Sequence, residues 1–171
     1  QPASIIGNSP TTGVAENKVV LLEFSDFECP FCAQANQSVK DFMDKHSDQV
    51  TLVYKHLPLT QIHAQALPAA QAAWAAFQQG KFWEYEDALF EQQNNLDEEL
   101  YLAIAQDLNL DLEQFNRDRI SAESEAAIRD DITLAQTLAV NGTPFFVFNT
   151  EVLQVPLNLS EMESILEQIK S

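Results

Sequence analysis

Apolar residues recur along this chain with two periods, and each marks a different kind of element. Val19-Val20-Leu21-Leu22-Glu23-Phe24 is apolar on both faces, the pattern of a central strand in a parallel sheet. Val50 to Lys55 gives a second such strand. Pro30 suits a first helical position and opens a predicted helix running to about Lys45, so strand, helix and strand make a right-handed βαβ unit. From Ala64 to Ala139 the period is helical. Leu67, Ala70, Trp74 and Phe77 share one face of a helix that Gly80 ends. A second helix is predicted over Phe82 to Gln92. Asp97 caps a third, with Leu100, Ile104 and Leu108 on one side. Asp111 and Gln114 form a capping box for a short fourth, and Ser121 caps a longer fifth with Ile128, Ile132, Ala135 and Ala139 in one stripe. Strands return at Phe145–Phe148 and Val152–Val155, joined through Asn149-Thr150-Glu151 as a hairpin. A last helix is read from a capping box of Ser160 and Glu163, with Met162, Ile165, Leu166 and Ile169 on its apolar face.

The predicted order is βαβ, a helical block, then ββα. That is an α/β fold with one mixed sheet, its two halves separated by a helical insertion at about 64–139. Residues 1–17, with Pro2, Gly7, Pro10 and Gly13, read as an extended lead-in, and 18–171 as a single domain.

Composition narrows the function classes. With 171 residues, 46% of them hydrophobic, the chain can bury a substantial core and does not read as disordered. Its net charge of −17 repels polyphosphates and anionic lipid surfaces, which argues against a nucleic-acid or membrane-surface partner. No apolar run approaches the roughly 20 residues of a membrane span. The chain starts Gln1-Pro2-Ala3, with neither Met nor a basic-then-apolar leader, and is read as a processed or trimmed end.

The only two cysteines, Cys29 and Cys32, stand in Cys29-Pro30-Phe31-Cys32. A bridge across so short a loop removes little chain entropy, so a structural staple is a poor use of the pair. Zinc is disfavoured because no second Cys or His pair stands at ligand spacing. Cys29 falls between a strand's carboxyl end and a helix start, where unpaired N–H groups and the helix dipole favour a thiolate. Cys32, one turn inward, is placed to attack a mixed disulfide on Cys29. Glu23 lies inside an apolar strand on the face of Val19 and Leu21. A buried carboxyl there would have a raised pKa and could accept the proton of Cys32, with Lys55 at the end of the neighbouring strand as an ion-pair partner. The alternative is a strand-end charge that reaches water. Asp26 and Glu28 flank Cys29 and should oppose its ionisation, while His63 reads as a polar residue at a helix terminus.

Leu22-Glu23-Phe24-Ser25-Asp26-Phe27-Glu28-Cys29-Pro30-Phe31-Cys32 resembles the active-site segment of DsbA-like thiol:disulfide oxidoreductases of the thioredoxin fold. Asn141-Gly142-Thr143-Pro144-Phe145-Phe146-Val147 is similar to that family's second signature, which carries a cis-proline. Leu57-Pro58-Leu59 with His63, and Gly80-Lys81-Phe82-Trp83, resemble patterns of its helical insertion. The resemblance spans about residues 18–170. It implies that Pro144 is cis and faces the cysteines, that Thr143 pairs with an extended substrate peptide, and that Pro30 and Phe31 border the substrate site. The family's buried acid matches Glu23. Phe31 departs from members with His at that place, since its side chain has no donor for a thiolate. Leu153 to Leu159 lacks the family's Gly-rich turn.

The expected activity is disulfide formation or exchange in exported proteins, with no cofactor. A quinone-linked membrane protein is the re-oxidising partner that the resemblance suggests. Disulfides persist outside the cytoplasm, so the periplasm or exterior is the expected location. A reductase or isomerase of the same fold, or a non-catalytic peptide-binding module, are the alternatives.

Overall fold

The computed structural model describes residues 5–14, 19–149 and 158–170, together with the backbone of 151–154. Strands β1 (Thr11–Thr12), β2 (Val19–Ser25), β3 (Val50–His56), β4 (Phe145–Phe148) and β5 (Glu151–Gln154) form one sheet in the order β1-β3-β2-β4-β5. β2 and β3 are parallel and every other pairing is antiparallel. Helix α1 (Pro30–His46) joins β2 to β3. Helices α2 (Ala66–Gln78), α3 (Phe82–Glu91), α4 (Glu98–Asp107), α5 (Leu112–Arg119) and α6 (Ala122–Thr137) intervene before β4, and α7 (Leu159–Lys170) follows β5. This is a thioredoxin-like fold with a helical insertion.

β2 is central because both of its faces are apolar. Val19 and Leu21 meet Val39, Phe42 and Met43 of α1, Phe146 and Phe148 of β4, and Met162 and Leu166 of α7. Leu22 and Phe24 turn the other way, onto Val53, Phe145 and Ala135 of α6. Register carries the alternation across the sheet: Glu23 stands beside Tyr54 and Phe146, while Phe24 stands beside Lys55 and Phe145. A third cluster packs Cys32, Phe27 and Tyr54 under α2, α3, α4 and α5.

The helix caps read at Asp97, Asp111 and Ser121 each accept the backbone N–H three residues on. Gly80 closes α2 at φ +76°, a left-handed backbone that glycine adopts without Cβ strain.

Several expectations need correcting. The lead-in contains β1, whose Thr11 and Thr12 pair with Val53 and Leu52. Just after it, Gly13 passes so close to β3 that a Cβ would sit 2.3 Å from the Val50 carbonyl oxygen. α2 docks through Ala66, Ala69, Ala70, Ala72, Ala73, Ala75 and Ala76, and Leu67 is exposed. Close approach of α2 to its neighbours requires small side chains; of the predicted face Ala70 is buried and Phe77 packs on Phe82, while Leu67 stays outside. α6 ends at Thr137 and Ala139 is left-handed at φ +57°, so Ala139 does not extend its stripe. α7 begins before Ser160, and Asn158 Oδ1 accepts the Glu161 N–H at 2.8 Å in place of the predicted box. Thr150 of the predicted hairpin turn, Val155 of the last strand, residues 155–157 of the Leu153–Leu159 stretch, and Gln1-Pro2-Ala3 lie outside the described residues.

Candidate active site

The segment after β2 places the two sulfurs. Cys29 is the N-cap of α1: it is extended at φ −78° and ψ 119°, and its Sγ accepts the Cys32 N–H at 3.2 Å. Pro30 then occupies the first helical position, where no N–H is needed. Cys29 and Cys32 are not bridged. Cys29 keeps 5% of its surface and Cys32 none, so only Cys29 has a face to solvent. Phe31 between them is 58% exposed, a large apolar side chain held at the rim.

The loop before β4 closes the site from across the sheet. The Thr143–Pro144 peptide bond is cis. The Cys29 thiol donates to the Thr143 carbonyl at 3.6 Å. The Thr143 hydroxyl is buried without a hydrogen-bond partner, and the Thr143 side chain favours the ionised form of both sulfurs.

Electrostatics separate the two thiols. Cys29 is lowered to about 6, chiefly because the Cys32 thiol hydrogen bonds to it; burial opposes this, and Thr143 and the Cys32 N–H support it. Cys32 is pushed far up by burial and then by its neighbour Cys29, so it remains a thiol. The pair therefore holds one thiolate, at the exposed end.

Asp26 does not oppose the thiolate as strongly as its proximity implies. Its side chain is fully buried and accepts the Glu28 N–H at 2.8 Å, the Leu59 N–H at 2.9 Å and His63 Nδ1 at 2.8 Å. These donors balance its charge, and its effect on Cys29 is the weakest of those acting there. Burial is the largest single influence and works against a charged His63 ring, but the hydrogen bond to Asp26 together with the charges of Asp26, Glu28 and Cys29 raises the pKa. His63 is thus a hydrogen-bond partner of Asp26 beneath the Cys29–Cys32 loop, a role its place in the sequence did not disclose. Glu28 is occupied as well, accepting the Gln65 N–H at 3.1 Å.

Gln93 was missed altogether. Its Nε2 donates to the carbonyls of Phe27 and Cys29, both at 2.8 Å, and so ties the loop to the short turn Gln93–Asn95 that follows α3. Only the fold brings residues 64 positions apart together, and nothing local marks Gln93 among the neighbouring glutamines.

Glu23 is 1% exposed, and neither of its carboxyl oxygens has a hydrogen-bond partner. Burial raises it to about 8. The reading of Glu23 as a strand-end charge in water is therefore wrong. The expected Glu23–Lys55 pair is also absent, because adjacent β-residues point to opposite faces. Lys55 shares the face of Phe24, where its Nζ donates to Ser9 Oγ at 2.7 Å and lies 3.8 Å from Asp131 Oδ1. On the Glu23 side, Ser25 interacts with the thiol of Cys32 and the hydroxyl of Tyr54.

Comparison with known proteins fits this geometry. The family described as Thioredoxin matches residues 6–168. The chain is similar to a thioredoxin-like oxidoreductase from Silicibacter pomeroyi DSS-3, at 32% identity and TM-score 0.90, covering 99% of this chain and 98% of that one. It shares its fold with the thiol-disulfide exchange protein alpha-DsbA2 from Wolbachia pipientis at TM-score 0.88 and 20% identity, covering 98% and 91% of the two chains. It is also 36% identical, over 152 residues and 89% of its length, to part of a protein from Salinispora tropica named Na(+)/H(+) antiporter NhaA 3. The chain spans about a quarter of the length of the curated relatives it matches, 23% in that case. Among the described residues no helix is long and apolar enough to cross a membrane.

Proposed function

Because the chain belongs to the thioredoxin family, we propose that Cys29-Pro30-Phe31-Cys32 is a dithiol–disulfide exchange site acting on the cysteines of exported proteins. The observation that carries this reading is the unequal pair: Cys29 lowered to about 6 and partly open, Cys32 raised and enclosed. In the oxidised enzyme a substrate thiolate attacks Cys29 Sγ, the Cys29–Cys32 bond breaks, and Cys32 leaves with the electron pair and takes up a proton. The substrate's second thiolate then attacks the mixed disulfide. A substrate disulfide forms, and Cys29 leaves as the favoured thiolate.

The other residues follow from the same geometry. Thr143 and cis-Pro144 form the wall against which an extended substrate segment adds by backbone pairing. The carbonyl that holds the Cys29 thiol loses that hydrogen when Cys29 ionises, which leaves it open to a substrate N–H. Pro30 and exposed Phe31 supply an apolar rim. Glu23 is the proton acceptor and donor for Cys32. Lys55 has no part in this proton transfer. Re-oxidation is assigned to a quinone-linked membrane protein, and the location to the periplasm or exterior, where disulfides persist.

Refolding of reduced RNase and reduction of insulin test the reading together. The wild-type chain should catalyse exchange and Cys29→Ser should abolish it. A wild-type chain inactive in both assays would favour a peptide-binding module instead.

A further inference from the structure

Glu86 lies one turn after Phe82 and one turn before Phe90 on α3. Phe82 packs on Tyr54 with ring centroids 4.9 Å apart, and Phe90 packs on Phe27 at 5.1 Å. Residues four apart share a helix face, so Glu86 is pressed onto the same sheet surface between these two contacts. It is 3% exposed and its Oε2 has no hydrogen-bond partner. On the facing sheet, Glu23 stands beside Tyr54. The two Glu23 oxygens are also buried and unpartnered, so with Glu86 Oε2 three such carboxyl oxygens lie around Tyr54, whose hydroxyl feels both carboxyls and Cys32. Buried polar atoms are nearly always paired, and a concentration like this marks a polar site.

Two carboxylates cannot both ionise in such surroundings without compensating cations. Among the described residues no unpaired cation faces them. Lys40 is paired with Asp87 at 2.9 Å and is the weakest influence on Glu86, and Lys55 is on the opposite face of the sheet. His56, on the Tyr54 side of β3, is lowered to about 3 by burial and then by Lys55, so it is neutral. Tyr54 is raised by burial and then by both carboxyls, so it is neutral too.

We propose that Glu23 and Glu86 form a proton-sharing carboxyl pair beneath Cys32, in which Glu86 is the positioning residue that holds the second proton. The inference rests on the redox reading of Cys29 and Cys32. Once it has lost its first proton, the pair carries one proton between two carboxyls and can accept another. When Cys32 attacks a mixed disulfide, its S–H proton passes to the pair, which becomes neutral. The new Cys29–Cys32 bond forms as the substrate sulfur leaves as thiolate. In the opposite direction, Cys32 expelled as thiolate recovers that proton. No external oxidant enters either step. Burial raises both groups, and Glu23 adds further to Glu86, which agrees with a pair that ionises in two steps.

The test is carbon-13 NMR titration of glutamate-labelled reduced protein, alongside the pH profile of Cys32-dependent mixed-disulfide resolution. In the wild type the Glu23 and Glu86 carboxyl signals should follow one common two-step curve. In Glu86→Gln, which keeps the shape and a donor, Glu23 should titrate in a single step while the resolution rate at pH 7 stays within about twofold. Glu86→Met, which removes the donor, should slow resolution at pH 7 about tenfold, and the glutamine variant should behave as its rescue. An identical single-step Glu23 curve in the wild type and Glu86→Gln would overturn the pair, and needs no variant beyond the isosteric one. Absence of disulfide exchange in the wild type, with the two-step titration intact, would overturn the redox reading and leave the shared proton standing.

Discussion

At the scale of single residues, Cys29 owes its character to four neighbours rather than to the helix start alone. The Cys32 thiol and N–H and the Thr143 side chain stabilise the thiolate, and the His63 and backbone donors on Asp26 limit the opposing charge. Iodoacetamide should therefore label Cys29 ahead of Cys32, with a rate midpoint near pH 6 rather than the roughly 8.5 of a free thiol. Peptide mapping of the label checks the site. His63→Ala should move that midpoint upward and lower stability by about 1–3 kcal/mol, since buried Asp26 loses a hydrogen-bond partner. An unchanged midpoint would remove His63 from the electrostatics of the site. Glu23 makes a separate prediction. It holds its proton more tightly folded, at about 8 against the ordinary 4.5, so the unfolded chain ionises first as pH rises. Its contribution to stability is full below pH 4.5 and is lost as pH climbs to about 8. Glu23→Gln should flatten that decline in denaturant curves at pH 5 and pH 8, and should slow mixed-disulfide resolution.

Among the elements, caps were readable wherever an Asp or Ser preceded an apolar helical run, as at Asp97, Asp111 and Ser121. The rule erred at α7, where two polar candidates lie two residues apart and spacing alone does not choose between them. Asn158 is the one whose side chain closes onto an N–H. Asn158→Ala should then cost about 1 kcal/mol of stability in thermal or chemical unfolding, and Ser160→Ala within ±0.5 kcal/mol. The reverse ranking would restore the Ser160 box. The alanine face of α2 escaped notice for another reason. Hydrophobic periodicity weights large side chains, whereas close helix packing selects small ones.

On the scale of the whole molecule, redox direction depends on which state the fold favours. A stabilised Cys29 thiolate favours the dithiol and makes the disulfide oxidising. Phe31 offers no side-chain donor to the thiolate, and burial of Cys29 opposes ionisation, so the effect is partial. The potential should be less negative than thioredoxin's, about −270 mV, and short of the strongest oxidants at about −120 mV. The oxidised form should be no more stable to denaturant than the reduced form. A glutathione redox titration with a denaturant curve for each state measures both. A potential at or below thioredoxin's, with the oxidised form clearly more stable, would indicate a reductase.

The βαβ and ββα halves, the helical block between them and the Cys-x-x-Cys motif at a strand–helix junction were set by local pattern. They depend on side-chain period, caps and turn residues, which act within a few positions of the chain. The tertiary structure alone decided that residues 11–12 pair as a strand, that Lys55 turns away from Glu23, and that His63, Gln93 and Thr143 converge on the cysteine loop. Each of those outcomes is a long-range contact, fixed by register and packing between elements, and one residue's shift in a strand reverses the face its side chain occupies.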